Sequence, residues 1–276
     1  MTLLLGAVVI LACPAVQAAE LYALNPADNR WPPLDEQAEA PAGNPLAANY
    51  YLVFDGSGSM AAQDCGDGQR KIDVAKDAIR QFAEQVPADA NLGLYVFDRK
   101  GESERVALGA DNRARFQEAV AGVSAGNNTP LKASAQFAYR QLTKQAERQR
   151  GYGEYHLVVV TDGVSTDGDP MPVVRDILKQ SPVLVETIGF CINERHSLNQ
   201  PGLTSYRSAN DPESLRQGLA AVLAEAPDFT ADQFAPAPDA GRPAPVPMQG
   251  PTPPKAEEKE DAFSILRKLK ERYLKP

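Results

Sequence analysis

Two hydrophobic periods alternate along the chain. Short continuous apolar runs of strand length are followed by stretches in which apolar residues recur every three or four positions, the spacing of an amphipathic helix. Tyr50 to Phe54 is the first run, closed by Asp55 and then by Gly56, Ser57, Gly58 and Ser59. After a Gly- and Asp-rich loop over Met60–Gln69, the residues Ile72, Ala75, Ile79, Phe82 and Val86 place a helix over Arg70–Val86, which Pro87 ends. Asn91–Asp98 is a second strand, and Arg105–Gly109 a weaker third suited to a sheet edge. Phe116, Val120 and Val123 mark a short helix. A loop over Ala125–Leu131 leads into a long helix, opened by Leu131, Ala135, Ala138 and Leu142 and ending near Arg148. His156–Thr161 is the most continuous run, and it too ends in aspartate and glycine, Asp162 and Gly163. A helix over Pro172–Gln180, a strand over Val183–Phe190, a short strand over Thr204–Ala209 and a last helix carrying Leu215, Leu219, Val222 and Leu223 complete the pattern. Asp211 followed by Pro212 is a cap-then-proline start for that helix.

Strands alternating with helices at this spacing imply an α/β fold, a doubly wound, mostly parallel six-stranded sheet with helices on both faces. In the strand order 3-2-1-4-5-6, the strand ending at Asp55 and the strand ending at Asp162 are neighbours at the point where the order reverses. Ligands of such sheets sit beyond the carboxyl ends of the strands at that point.

The ends of the chain lack the alternation. Leu3–Ala12 is an apolar segment followed by Val16, Gln17 and Ala18, so residues 1–18 read as an export leader with a small-residue cleavage pattern, too short to span a bilayer. The alternative in the same segment is Ile10, Leu11, Ala12 and Cys13, a lipoprotein-type cleavage box that makes Cys13 the acylated residue. Residues 19–48, with Pro26, Pro32, Pro33, Pro41 and Pro45, form an extended lead-in that Trp31 pins to the folded domain at 49–227. Nine prolines between Ala226 and Ala256 predict a disordered linker over 228–256. Phe263, Leu266, Leu269 and Tyr273 then share one face of a basic amphipathic helix at 257–276, able to dock on a partner or an anionic membrane.

Lys and Arg number 28 against 36 Asp and Glu, a net charge of −8 that argues against nucleic-acid binding. Removal of the leader takes Cys13 with it and leaves Cys65 and Cys191, a pair that reads as a disulfide in an exported protein.

The candidate chemistry is a cluster of oxygens. Asp55, Ser57, Ser59, Thr129 and Asp162 all fall at the carboxyl end of the sheet. Two aspartates brought together repel unless a positive charge lies between them. All-oxygen donors without sulfur or imidazole suit a hard cation, Mg²⁺ first, with Mn²⁺ or Ca²⁺ as competitors. Two carboxylates balance such an ion, and one position remains for water or an anionic oxygen.

Asp55-x-Ser57-x-Ser59, Thr129 before Pro130 and Leu131, and Asp162 before Gly163 resemble the complete metal-ion-dependent adhesion site of the von Willebrand factor type A domain family, over about Asn49–Pro227. The resemblance implies that Ser57, Ser59 and Thr129 contact the metal through hydroxyls, and that Asp55 and Asp162 hold it directly or through water. It implies a binding module rather than an enzyme, and the leader adds the expectation of an exported bacterial protein, periplasmic or secreted. The last ligand is then an Asp or Glu side chain of an unidentified protein partner. The lipid-anchored form through Cys13, or the C-terminal helix, supplies the remaining route to a membrane.

Other chemistries fit less well. Gly56, Gly58 and Ala61 match a dinucleotide-binding pattern, but Asp55 would face the pyrophosphate and the helix starts only near Arg70. A Ser-His-Asp hydrolase needs His156, which opens its strand at the opposite end of the sheet, or His196, which no spacing brings to a serine. A scaffold acting through the proline-rich tail, with a structural metal, is the alternative function, and a Mg²⁺-dependent hydrolase a third. Cys65 follows the first strand and Cys191 the fifth, so their disulfide pins the first loop beside the site and contributes about 2–4 kcal/mol. Asp64, Asp67, Asp167 and Asp169 fall in loops at the same end, as a negative rim, a second weak cation site or, more commonly for such residues, solvated side chains.

Overall fold

The computed structural model describes residues 31–33, 41–192 and 196–224. The leader with Cys13, the proline-rich segment and the helix expected over Glu257–Pro276 lie outside the described residues. Chain order is β1 (Ala48–Asp55), a 3₁₀ turn (Gly58–Ala61), α1 (Lys71–Gln85), β2 (Asn91–Asp98), β3 (Gly101–Gly109), α2 (Arg113–Ala121), α3 (Leu131–Gln149), β4 (Glu154–Thr161), α4 (Met171–Gln180), β5 (Leu184–Phe190), β6 (Ser205–Ala209) and α5 (Pro212–Ala224).

The strands form one sheet in the order β3-β2-β1-β4-β5-β6. β2 and β3 pair antiparallel and every other neighbouring pair is parallel. The order reverses between β1 and β4, as the sequence pattern implies, and their carboxyl ends form the crevice.

Helices cover both faces, so the central strands are buried on both sides and read as unbroken apolar runs. Successive side chains of β1 point to opposite faces. Tyr50, Leu52 and Phe54 pack with Ile72, Ile79 and Phe82 of α1, Phe116 of α2, and Leu215 and Leu219 of α5. Tyr51 and Val53 pack on the other face with Leu131 and Leu142 of α3 and Val174 and Ile177 of α4.

β3 differs from expectation, because it starts at Gly101 rather than near Arg105. Its first half carries Glu102 and Glu104, which disguise a strand but suit a sheet edge. The second difference is the 3₁₀ turn inside a stretch read as loop, where Met60 is fully buried in the α1-side core. α5 starts as predicted: Asp211 Oδ1 accepts the Ser214 N–H at 2.8 Å, and Ser214 Oγ accepts the Asp211 N–H at 3.1 Å, a reciprocal cap ahead of the first turn.

At the amino ends of the strands, Trp31 packs edge-on against Tyr155 with ring centroids 4.8 Å apart, the contact expected of this residue. His156 is buried there, stacked on Tyr50 and with Nδ1 3.0 Å from Glu186 Oε2. It belongs to the core at the end opposite Asp55.

Candidate metal centre

Asp55 ends β1 and has 0% of its surface exposed. The parallel register that sets Phe54 beside Val160 brings Thr161 next to Asp55. Thr161 Oγ1 donates to Asp55 Oδ2 at 2.6 Å, while Oδ1 accepts the Ser57 N–H at 2.8 Å. Gly56 lets the chain turn against the end of β2, since a Cβ there would stand 2.8 Å from Asp98 Cβ and 2.9 Å from Val123 Cγ1. The Gly56 carbonyl accepts the Gly126 N–H at 2.9 Å, and the Gly58 N–H donates to Asn127 O at 3.1 Å. Those two bonds tie the Ser57–Ser59 loop to the loop that carries Thr129.

Ser57 Oγ and Ser59 Oγ lie 3.0 Å apart, and Ser59 Oγ donates to Asp162 Oδ1 at 2.7 Å. Thr129 is clasped to the loop after β4: its N–H donates to Thr166 Oγ1 at 3.1 Å, and its carbonyl accepts the Thr166 N–H at 2.9 Å. Asp167 adds a second tie by accepting the N–H groups of Lys132 and Ala133 at 3.1 and 2.8 Å. It thereby caps α3, whose first N–H groups have no partner within the helix. A Cβ on Gly163 would stand 3.6 Å from Thr129 Oγ1 and 3.7 Å from Ser59 Oγ, so this glycine leaves the space between the two hydroxyls open.

All five expected residues therefore gather at one end of the sheet. Asp55, Ser57, Ser59 and Asp162 are joined in a chain of short contacts, and Thr129 faces Ser59 across Gly163. The group offers two carboxylates and three hydroxyls, a hard donor set of the kind that magnesium, manganese or calcium takes.

The model of the von Willebrand factor type A domain matches residues 49–231, well over half of the chain. The chain belongs to that family. Among curated proteins it is 29% identical over 189 residues to the uncharacterized protein YwmD of Bacillus subtilis, covering 61% of this chain and 82% of the relative. Among solved structures, a von Willebrand factor type A protein from Catenulispora acidiphila superposes with a TM-score of 0.53 at 17% identity, over 65% of this chain and 42% of that one. Proximal thread matrix protein 1 from the mussel byssus, solved with zinc in its adhesion-site motif, gives 0.53 at 16% identity over 67% and 48%. These likenesses show the fold, and the chain spans less than half the length of either solved protein.

In this von Willebrand factor type A domain Asp162 also has a positive partner, Lys71, at the start of α1. Its Nζ stands 3.0 Å from Asp162 Oδ2 and 3.2 Å from Asp64 Oδ2. Desolvation would lower the pKa of this ammonium, but the hydrogen bonds and charges of Asp162 and Asp64 outweigh it and hold the pKa above its ordinary value. Among the described residues Asp55 has no such partner. Burial, then the charge of Asp162, pushes its pKa up to about 6 against the hydrogen bonds from Ser57 and Thr161.

Sequence reasoning missed Lys71, although one signal was present. A lysine in the first turn of a helix sits where the helix dipole favours anions, so it calls for a compensating carboxylate. His196 was also missed as a neighbour of the site. It is buried, its Nδ1 accepts the Leu198 N–H at 3.2 Å and its Nε2–H donates to Gly163 O at 3.0 Å. Burial depresses its pKa, which suits the neutral ring that this pair of bonds requires. An isolated histidine in a polar connection carries no periodic signal that could have placed it there.

The loop aspartates also do more than line a rim. Asp64 pairs with Lys71, Asp167 caps α3, and Asp169 Oδ1 accepts the Met171 N–H at 3.0 Å at the start of α4. Partial burial would raise the Asp167 pKa, but hydrogen bonds from Ser165, Ala133 and Lys132 prevail and lower it. Cys65 and Cys191 form the expected disulfide, with Cα atoms 5.8 Å apart. The ligand atoms of Asp64, Cys65 and Cys191 lie within 4.8 Å of one another. Both sulfurs are committed to the disulfide, so this trio is not a thiolate metal site.

Proposed function

We propose that this domain is a metal-dependent protein-binding module. Asp55, Ser57, Ser59, Thr129 and Asp162 hold a divalent cation, Mg²⁺ first with Mn²⁺ or Ca²⁺ as alternatives, and an Asp or Glu of a protein partner completes its coordination. When bound, the cation supplies an electrophilic position for that carboxylate. The protein's own residues supply the rest: Asp55 and Asp162 the negative charge, the three hydroxyls neutral donors, and Thr161, Ser57 N–H and His196 the bonds that fix the loops.

What supports this reading is a pair of facts: Ser57, Ser59 and Asp162 are linked by short contacts beside the buried Asp55, and the Ser59 and Thr129 hydroxyls both border the space that Gly163 leaves open. The zinc held by the mussel byssus protein, which shares the fold, supports a cation at this end of the sheet. Val164, 68% exposed directly after Gly163, offers an apolar contact beside the site for a protein surface. No residue in the cluster is set up as a general base apart from the carboxylates assigned to the metal, which favours binding over catalysis.

The Cys65–Cys191 disulfide favours an oxidising compartment and so supports export, to the periplasm or beyond. Among the described residues, no helix is long and apolar enough to cross a membrane.

Titration calorimetry with Mg²⁺, Mn²⁺ and Ca²⁺ tests the centre. Wild type is expected to bind one ion, and Thr129→Ala, which removes one donor without changing charge, to bind on the order of tenfold more weakly. Wild type that binds none of the three overturns the reading. Partner capture from an extracellular extract is then expected only without chelator.

A further inference from the structure

We infer that Lys71 is a tethered counter-ion of the metal centre, which keeps the metal-free site assembled and makes an arriving cation compete for Asp162. This rests on the metal reading above and assigns a role to a residue outside the expected donor set.

Geometry separates Lys71 from a surface ion pair. Its side chain is 7% exposed, and its ammonium bridges Asp162 Oδ2, buried beneath it, and Asp64 Oδ2, whose side chain is 56% exposed. Asp162 thus spends its two oxygens on different partners, Oδ1 on the Ser59 hydroxyl and Oδ2 on the ammonium. Asp64 is next to Cys65 in sequence, and the disulfide to Cys191 fastens that stretch beside the end of β5. The Lys71 N–H also donates to Ala62 O at 2.8 Å, which anchors the backbone below the ammonium. Both ends of the bridge are therefore fixed by the fold.

Two consequences follow from charge alone. Without a metal, Asp55 and Asp162 are like charges buried at the same end of the sheet, where they repel. The ammonium, which Asp64 shares, offsets part of that charge and holds Asp162 in place. With a metal, the ammonium cannot diffuse away as a solvent ion would, so the incoming dication meets a fixed positive charge already paired to one of its ligands. Lys71 thus trades cation affinity for a site that stays formed without the ion.

The test compares wild type, Lys71→Met and Lys71→Arg for Mn²⁺ affinity by calorimetry and for thermal midpoint in chelator. Met keeps the buried aliphatic stem and loses the charge, while Arg keeps the charge. The Met variant is expected to bind Mn²⁺ about tenfold more tightly, equivalent to about 1.4 kcal/mol, and to melt lower than wild type in chelator. The Arg variant is expected to stay within about threefold of wild-type affinity. Equal or weaker Mn²⁺ binding by the Met variant, or an Arg variant as tight as the Met variant, overturns the inference. If Lys71→Met does not fold, Lys71→Gln, which retains a donor toward Asp162, is held to the same outcomes. Absence of Mn²⁺ binding in wild type and variants alike defeats the metal reading instead, so the two failures are told apart.

Discussion

Thr161 Oγ1 donates a 2.6 Å hydrogen bond to Asp55 Oδ2, so the carboxylate that ends β1 is gripped by the residue that ends β4. The bond favours the charged form, yet burial and the charge of Asp162 prevail and push the Asp55 pKa up to about 6. A carboxylate raised in the folded state stabilises the metal-free fold at pH below its unfolded range. That contribution disappears as the pH rises through about 6. In chelator, wild type and Asp55→Asn are expected to be similarly stable at pH 4, with the variant ahead by about 3 kcal/mol at pH 7. Denaturant unfolding at the two pH values measures the difference, and a pH-independent gap contradicts it. Cation binding has the opposite sign, because it needs the charged carboxylate, so Mg²⁺ affinity is expected to fall as the pH drops below about 6.

Gly163 gives a test of the space rather than the ligands. Its Cβ position is 3.6 Å from Thr129 Oγ1 and 3.7 Å from Ser59 Oγ, so one methyl fits and a branched side chain projects between the hydroxyls. Gly163→Val is expected to keep stability within about 1 kcal/mol while losing the Mn²⁺-induced rise in melting temperature. A variant with the full wild-type rise would show that the space is not where the cation sits.

The Cys65–Cys191 bond joins residues 126 apart in sequence, so it restricts a long segment of the unfolded chain. Replacing both cysteines by serine is expected to destabilise the domain by about 2–4 kcal/mol. Thermal melts with and without dithiothreitol give the same comparison on wild type, and coincident curves would contradict it.

Legibility in the sequence followed burial. Leu157, Val158, Val159 and Val160 are covered on both faces, so no polar position interrupts the run and the strand announces itself. Glu102 and Glu104 sit on an edge strand with one neighbour, where polar side chains are tolerated and the pattern fades. Within the site, Asp55, Ser57 and Ser59 form a short local motif and could be read directly. Lys71 could not be read that way, because its partners Asp64 and Asp162 include one 91 positions away that only the parallel pairing of β1 and β4 brings close. The Gly163–His196 contact depends likewise on the connection after β5 passing beside the loop after β4.

The packing of Trp31 on Tyr155 has a mechanical consequence. Tyr155 is the second residue of β4 and Asp162 follows its last, so the two points lie at opposite ends of a strand of eight residues, about 26 Å long. A pull between a ligand held at Asp162 and the segment held by Trp31 runs along β4 and its parallel neighbours β1 and β5. The hydrogen bonds between these strands lie across that direction and share the load together in shear. Within the sheet the load is thus spread over several bonds, and the Trp31–Tyr155 ring contact is the noncovalent link in series with them.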